Sequence, residues 1–479
     1  MGQKISKEKI VKSFAWQFSQ NVFIQVASFV IQIILARILF PDDYGVLAIV
    51  LVFVNLANVF ATSGYGQSLI QKKDSDILDF STLFFFTLSL SIVLSLVLFF
   101  IAPLVANFYQ RDALLALIRV SVVLIPMSSI ISIQEAKLKI DLKFKTIFYV
   151  NVFALLVSWT TGIVLAYNGF GVWSLLIHQI LYKAIIVFLY VFVSKLKIRF
   201  VFSFQRLKIL LSFGSKLLIA SLVVNVYEEI RGLVVAKKYS TEELGYFNRG
   251  KQFPMTIVSS INSSVQSVIY TVLSKQQDDL AAVKATHKKT IICSSFLVFP
   301  ICVGLACVSI PLIKLLLTDK WLPASPFLII FCAFYFLWPL RETSQQVMSA
   351  IGRSDLFLKA EVVQKIIGIA ILFSTLFINV YAVGIGMIVD CVISTLINMY
   401  IVSRLIKYSV FEQLRDCFKS FLSSTLMGII IVFLGSFISN DVLKLIVQVL
   451  CGACLYFAFS VAVNNEAIFL LKSIVKRNR

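Results

Sequence analysis

Apolar runs of about 20 to 28 residues recur along the chain from Phe14 to Val463, each separated from the next by a few polar or charged residues. A helix of that length crosses a bilayer, and backbone in lipid must satisfy its own hydrogen bonds. The runs are continuous rather than alternating, which argues against a transmembrane β-barrel. The pattern predicts fourteen spans, at roughly 14–36, 44–63, 81–103, 114–133, 147–166, 172–193, 209–236, 245–272, 290–311, 325–348, 357–378, 382–403, 418–437 and 443–463. The expected fold is therefore an all-α polytopic membrane protein with short loops and no large extramembrane domain.

The chain also repeats itself. Ala36-Arg37 and Ala236-Lys237 each end a run, and Gly45 and Gly245 follow each alanine nine residues later. Asp42-Asp43 before the first glycine answers Glu242-Glu243 before the second, at the same offset of 200. Gly169-Phe170-Gly171 and Gly384-Ile385-Gly386 form a weaker pair. We read two pseudo-symmetric six-helix lobes, 1–200 and 201–410, followed by two additional helices and a tail over 411–479. Six is even, so the repeats run parallel in the membrane, and duplicated bundles around a central site are a common transporter plan.

Polar residues form stripes within the runs. Gln17, Asn21, Gln25, Ser28 and Gln32 share one face of the first helix. The shift of 200 maps them onto Leu217, Ser221, Asn225, Glu228 and Gly232. Asn248, Gln252, Ser259, Asn262, Gln266 and Tyr270 continue the theme in the eighth span. Three such stripes point to a polar cavity rather than to packing alone.

Net charge is +20, with 44 Lys and Arg against 24 Asp and Glu. In a soluble protein this would suggest nucleic acid. Here 29 of the 44 fall in alternate loops and 7 in the loops between them, which is the signature of membrane orientation with both termini cytoplasmic. Charges inside spans are costly and mark function. Arg119, Lys183 and Arg249 have no obvious acidic neighbour in sequence and are candidates for an anion path. With Gln25, Asn225, Arg231, Asn262 and Arg341 they make up the candidate substrate-binding set; Lys216, Lys251 and Glu361 read as residues near helix ends. Glu228, Glu229 and Asp390 are candidates for coupling to protons or sodium.

Other chemistry is not indicated. Two histidines and no metal-ligand spacing leave no metal site, and His178, within a span, reads as packing. No phosphate-binding glycine loop is present, and no outer loop is long enough for a glycosyltransferase or polymerase site, so neither an enzyme nor a cofactor is expected. None of the eight cysteines lies in a predicted outer loop, so no disulfide is expected, and Cys451-Gly452-Ala453-Cys454 reads as small residues for helix packing. The first run is too long for a cleavable signal peptide, and the match of Met1–Ser6 to a myristoylation pattern reads as chance.

Leu35-Ala36-Arg37-Ile38-Leu39-Phe40-Pro41-Asp42-Asp43-Tyr44-Gly45 and Gly64-Tyr65-Gly66-Gln67-Ser68-Leu69-Ile70-Gln71 resemble the N-terminal signature of the polysaccharide transporter family, the Wzx-type flippases of the multidrug/oligosaccharidyl-lipid/polysaccharide exporter superfamily. Leu244-Gly245-Tyr246-Phe247-Asn248-Arg249-Gly250 with Pro254 resembles the opening of that family's second lobe. The resemblance implies alternating-access transfer of an undecaprenyl-pyrophosphate-linked oligosaccharide from the inner to the outer leaflet of the bacterial cytoplasmic membrane, for O-antigen, capsule or exopolysaccharide assembly. It implies membrane lipid, a polysaccharide polymerase and chain-length machinery as partners, with no role for nucleic acid. The alternatives are a cation-coupled drug antiporter of the same superfamily and a polysaccharide polymerase or ligase.

The charge asymmetry makes a direct prediction about orientation. A fluorescent protein fused to the C-terminus should fluoresce in a bacterial host, and alkaline phosphatase fused after Arg111 should be active. The reverse pattern would invert the assigned topology.

Overall fold

The computed structural model describes residues 7–72, 75–468 and 470; the Met1–Ser6 pattern lies outside them. The chain folds into two compact units that divide after Gly245. The first holds α1 (Lys7–Ile38), α2 (Pro41–Thr62), α3 (Tyr65–Gln71), α4 (Ile77–Tyr109), α5 (Ala113–Ser121), α6 (Leu124–Ile140), α7 (Phe144–Tyr167), α8 (Val172–Ser194), α9 (Phe204–Lys238) and the first turn of α10 (Thr241–Lys275). The second holds the rest of α10, then α11 (Leu280–Cys307), α12 (Ser309–Leu317), a 3-10 turn over Asp319–Ala324, α13 (Ser325–Phe336), α14 (Trp338–Ala350), α15 (Ser354–Leu376), α16 (Val380–Ile406), α17 (Val410–Ser436) and α18 (Asp441–Ala462).

Among the described residues, ten segments are long and apolar enough to cross a membrane. The other four long helices, α1, α9, α10 and α15, stand where the first, seventh, eighth and eleventh spans were expected, and they carry polar stripes or charges. The expected fourth and tenth spans are each two helical pieces. Pro126 and Pro339 lack the N–H that would continue the ladder, and the helix restarts just before each, as α6 and α14. The second span likewise continues past a left-handed Gly64 (φ 80°) into α3. Several helix starts are capped by short polar side chains, with Asp76, Asp279, Asn379, Ser409 and Asn440 each accepting from an N-terminal backbone N–H.

In the first unit α7 lies between α1 and α8, and α6 packs on α8, α4, α2 and α3. The repeat boundary expected near residue 200 falls on the strap between α8 and α9. The packing boundary falls one helix later, because α9 lies against α2, α3 and α4. In the second unit α17 packs along α11 and carries α18, and α16 lies against α13, α14 and α15.

The two glycines that mark the repeat meet each other's helix. A Cβ on Gly45 would stand 1.6 Å from the carbonyl oxygen of Thr241, and one on Gly245 would stand 2.1 Å from that of Pro41. Only glycine permits this reciprocal approach of the first turns of α2 and α10. Polar side chains close around it. The Thr241 hydroxyl donates to Asp42, and Arg111 donates to Asp42 Oδ1 at 3.2 Å and to Thr241 Oγ1 at 3.0 Å.

At the other, lysine-rich end of this unit a clasp holds the strap. Asp79 is fully buried, bound to Lys72 and 3.6 Å from Arg206. Ser81 and Thr82 accept from the backbone N–H groups of Arg199 and Ser203, at 3.1 and 3.2 Å. Removing one partner of a buried ion pair leaves an uncompensated charge. Lys72 and Arg206 keep some water contact, which moderates the loss. Asp79→Ala should therefore cost about 1–3 kcal/mol, read as a lowered thermal midpoint in detergent. An unchanged midpoint would show that the clasp does not hold the fold.

Candidate functional site

Within the first unit the sequence-selected cation that stands out is Lys183. It projects from the buried stripe of α8 toward α6 and is half-buried. Its Nζ donates to Ser128 Oγ at 2.5 Å and approaches the Leu124 carbonyl at 3.5 Å. Ser128 in turn donates to the same carbonyl at 2.7 Å. No carboxylate lies within ion-pair distance of Lys183 among the described residues. The helices around it are tied by neutral bonds. Tyr182 donates to Asn151 Oδ1 at 2.8 Å, Asn151 Nδ2 stands 3.1 Å from the Tyr190 hydroxyl, and Ser194 donates to Gln134. An ammonium at membrane depth solvated only by neutral oxygens is expensive to maintain and ready to accept an anion.

The other basic candidates of this unit have aromatic company. Arg231 is buried on α9, donates to the Tyr227 hydroxyl and stacks on that ring at 4.4 Å. Arg119 is exposed on α5, with its guanidinium 4.8 Å from the Phe99 ring centre. These are cation–π contacts, which partly replace lost water. On the polar face of α9, Asn225 donates to the Ser221 carbonyl at 2.7 Å, Glu228 is exposed, and Glu229 accepts from Asn55 Nδ2 at 3.2 Å. Gln25 is half-buried on α1. The side chains of Gln17, Asn21, Lys216, Leu217, Gln266 and Tyr270 lie outside the described residues.

In the second unit the candidates gather around α14, α15 and α16. Half-buried Arg341 has Glu342, Glu361 and Asp390 as acidic neighbours. Glu361 accepts from Gln345 at 2.6 Å and lies 3.7 Å from Lys365. Asp390 is buried. One turn further, Gln364 donates to Asn398 Oδ1 at 2.7 Å in a dry setting. Arg249 is buried at the start of α10, donates to Gln252 at 2.7 Å and lies 5.1 Å from the Trp321 ring centre. Asn262 is half-buried on the same helix. The eleven selected residues are thus not one cluster. Lys183 is met by neutral oxygens, Arg119, Arg231 and Arg249 by aromatic rings, and Arg341 by acids.

Sequence reasoning missed two partners and one pocket. Asn55 and Ser128 are polar residues within apolar runs, and nothing local ties them to Glu229 or Lys183. The pocket, of about 440 Å³, lies at the lysine-rich end of the first unit, walled by α3, α6, α9 and the end of α2. Its signal was present as Ser132, Glu135 and Lys139, spaced three and four along one face of α6. Among the described residues no three His, Cys, Asp or Glu side chains gather as a metal site.

Comparison with known proteins places this architecture. A family model described as "Polysaccharide biosynthesis protein" matches residues 34–326. The teichuronic acid biosynthesis protein TuaB of Bacillus subtilis (strain 168) is 25% identical over 84% of this chain and 84% of its own length. The lipopolysaccharide biosynthesis protein WzxC of Escherichia coli (strain K12) is 22% identical, over 85% of this chain and 83% of its own. Among solved structures, the lipid II flippase MurJ in an inward closed conformation aligns with a TM-score of 0.77 at 17% identity, covering 94% of this chain and 99% of that one. An inward-facing multidrug resistance MATE family transporter aligns at 0.61 and 14% identity, covering 82% and 98%. These two likenesses are likenesses of fold. With the family match spanning more than half of its length, the chain belongs to the polysaccharide biosynthesis protein family and is a polytopic all-α membrane protein with the fold of the multidrug/oligosaccharidyl-lipid/polysaccharide exporter superfamily.

Proposed function

We propose that the chain is a flippase for an undecaprenyl-pyrophosphate-linked oligosaccharide, moving it from the inner to the outer leaflet of the bacterial cytoplasmic membrane by alternating access, with both termini cytoplasmic. The observation that carries this reading is Lys183, a half-buried ammonium met, among the described residues, by neutral oxygens alone. A pyrophosphate is the ligand such a group lacks. The relatives' names, which include teichuronic acid and lipopolysaccharide biosynthesis, fit a glycan product such as O-antigen, capsule or exopolysaccharide. A drug antiporter calls for acids on the binding face, and Lys183 faces none.

Outward movement of an anion across an inside-negative membrane is favourable by about 2.3 kcal/mol per charge per 100 mV. The potential therefore drives the flip in the needed direction. Glu228, Glu229 and Asp390 supply the carboxylates through which a proton or sodium gradient would add to it. Arg119, Arg231, Gln25 and Asn225 are the further binding candidates of the first unit, and Arg249, Arg341 and Asn262 those of the second. A polysaccharide polymerase and chain-length machinery would use the product on the outer side.

Deletion of the gene should abolish the surface polysaccharide and cause the lipid-linked oligosaccharide to accumulate. Normal polysaccharide with altered dye resistance would favour the antiporter. In the complemented strain, Lys183→Gln should cut export at least tenfold while Lys183→Arg retains more of it. Glutamine keeps a bond to Ser128, so the protein should still fold. Wild-type export by Lys183→Gln would sink the anion-site assignment.

A further inference from the structure

The pocket at the lysine-rich end of the first unit has a chemistry of its own. Gln67 reaches it from α3, Ser132, Glu135 and Lys139 from α6, and Ser221 from α9. Glu135 and Lys139 pair at 2.7 Å, so the lining carries no net charge. The side chains of Gln67, Ser132 and Ser221 make no hydrogen bond among the described residues. On α6 and the neighbouring helices Ser91, Ser121, Ser128, Ser129 and Ser158 bond back to their own helix. Gly66 lets α3 come this close, since a Cβ there would stand 3.0 Å from Ser132 Oγ.

We infer that this pocket is a sugar subsite, reading hydroxyl and amide groups of the head group beyond its pyrophosphate. The inference rests on the flippase reading above. Its volume of about 440 Å³ lies within the usual range of small-molecule sites, roughly 300–1,000 Å³. Uncommitted hydroxyl and amide groups around a neutral ion pair suit sugar hydroxyls. They suit neither a prenyl chain, which needs apolar walls, nor a second phosphate, which would face Glu135.

Position supports the same reading. Ser128, which holds Lys183, and Ser132, in the pocket wall, are one turn apart on the same face of α6, a rise of about 6 Å. Lys139 at the far end of the wall lies about 16 Å along the helix from Ser128. A head group anchored by its phosphates at Lys183 can therefore lay its sugars along this face toward the lysine-rich end.

The test uses the full-length protein in proteoliposomes. Two probes are compared: the lipid-linked oligosaccharide that accumulates on deletion, and the same carrier trimmed to one sugar. Flipping is read as the rate at which each becomes accessible to an external enzyme. The double variant Gln67→Ala/Ser132→Ala should lower the ratio of full-length to one-sugar rates at least fivefold. Lys183→Gln should slow both probes and leave that ratio within about twofold. Loss of folded protein affects both probes alike and cancels in the ratio. An unchanged ratio in the double variant overturns the sugar subsite while leaving the flippase reading intact. Failure of the wild-type protein to flip either probe overturns the flippase reading itself, and the subsite with it.

Discussion

A charged side chain at membrane depth costs about 3 kcal/mol on insertion scales, and the structure is arranged around how each one is met. Around α14, α15 and α16 the answer is acidic company: Arg341 has acidic neighbours on three helices, and Lys365 lies beside Glu361. Arg119, Arg231 and Arg249 are placed over aromatic faces. Among the described residues Lys183 receives only a hydroxyl and a carbonyl. Ion pairs and cation–π contacts make charges part of the scaffold. An ammonium held by neutral oxygens keeps most of its attraction for an external anion, which is why the proposed anion site is centred on Lys183.

The same economy governs the backbone. Helices fulfil the bilayer's demand for internal hydrogen bonds, and the second, fourth and tenth spans are interrupted at a left-handed glycine or just before a proline. The reciprocal approach of Gly45 and Gly245 brings the first turns of α2 and α10 close enough for Asp42, Arg111 and Thr241 to bond across them. At the lysine-rich end, Asp79 with Lys72 and Arg206 fixes the strap that joins α8 to α9. The first unit is thus tied at both ends, and its polar surfaces, Lys183 and the pocket beyond it, lie on α6, α8 and their neighbours.

Much of this was legible in the chain. Apolar runs located the helices, because lipid permits few other structures, and the offset of 200 identified Gly45 and Gly245 as equivalent. That they touch each other's helices was not legible, since an internal repeat says nothing about contact. Lys183 could be selected from sequence because nothing acidic surrounds it locally. The aromatic partners of Arg119 and Arg249 could not, because Phe99 and Trp321 lie on other helices. The partner of Glu229 was not legible either, since Asn55 lies 174 residues away. The pocket was missed because its signal, three polar residues on α6 and a glutamine after Gly66, is ordinary for a helix end. Only the folded arrangement shows Gln67, Ser132 and Ser221 brought together around the Glu135–Lys139 pair.

The central claim is that a neutral-solvated lysine inside a membrane lobe holds the charged head of a lipid carrier. The most direct measurement is native mass spectrometry of the intact protein offered undecaprenyl pyrophosphate and uncharged undecaprenol at equal concentration. The account predicts retention of the pyrophosphate by the wild-type protein and its loss on Lys183→Gln. Equal retention of the two lipids, or undiminished pyrophosphate binding by the variant, would contradict it.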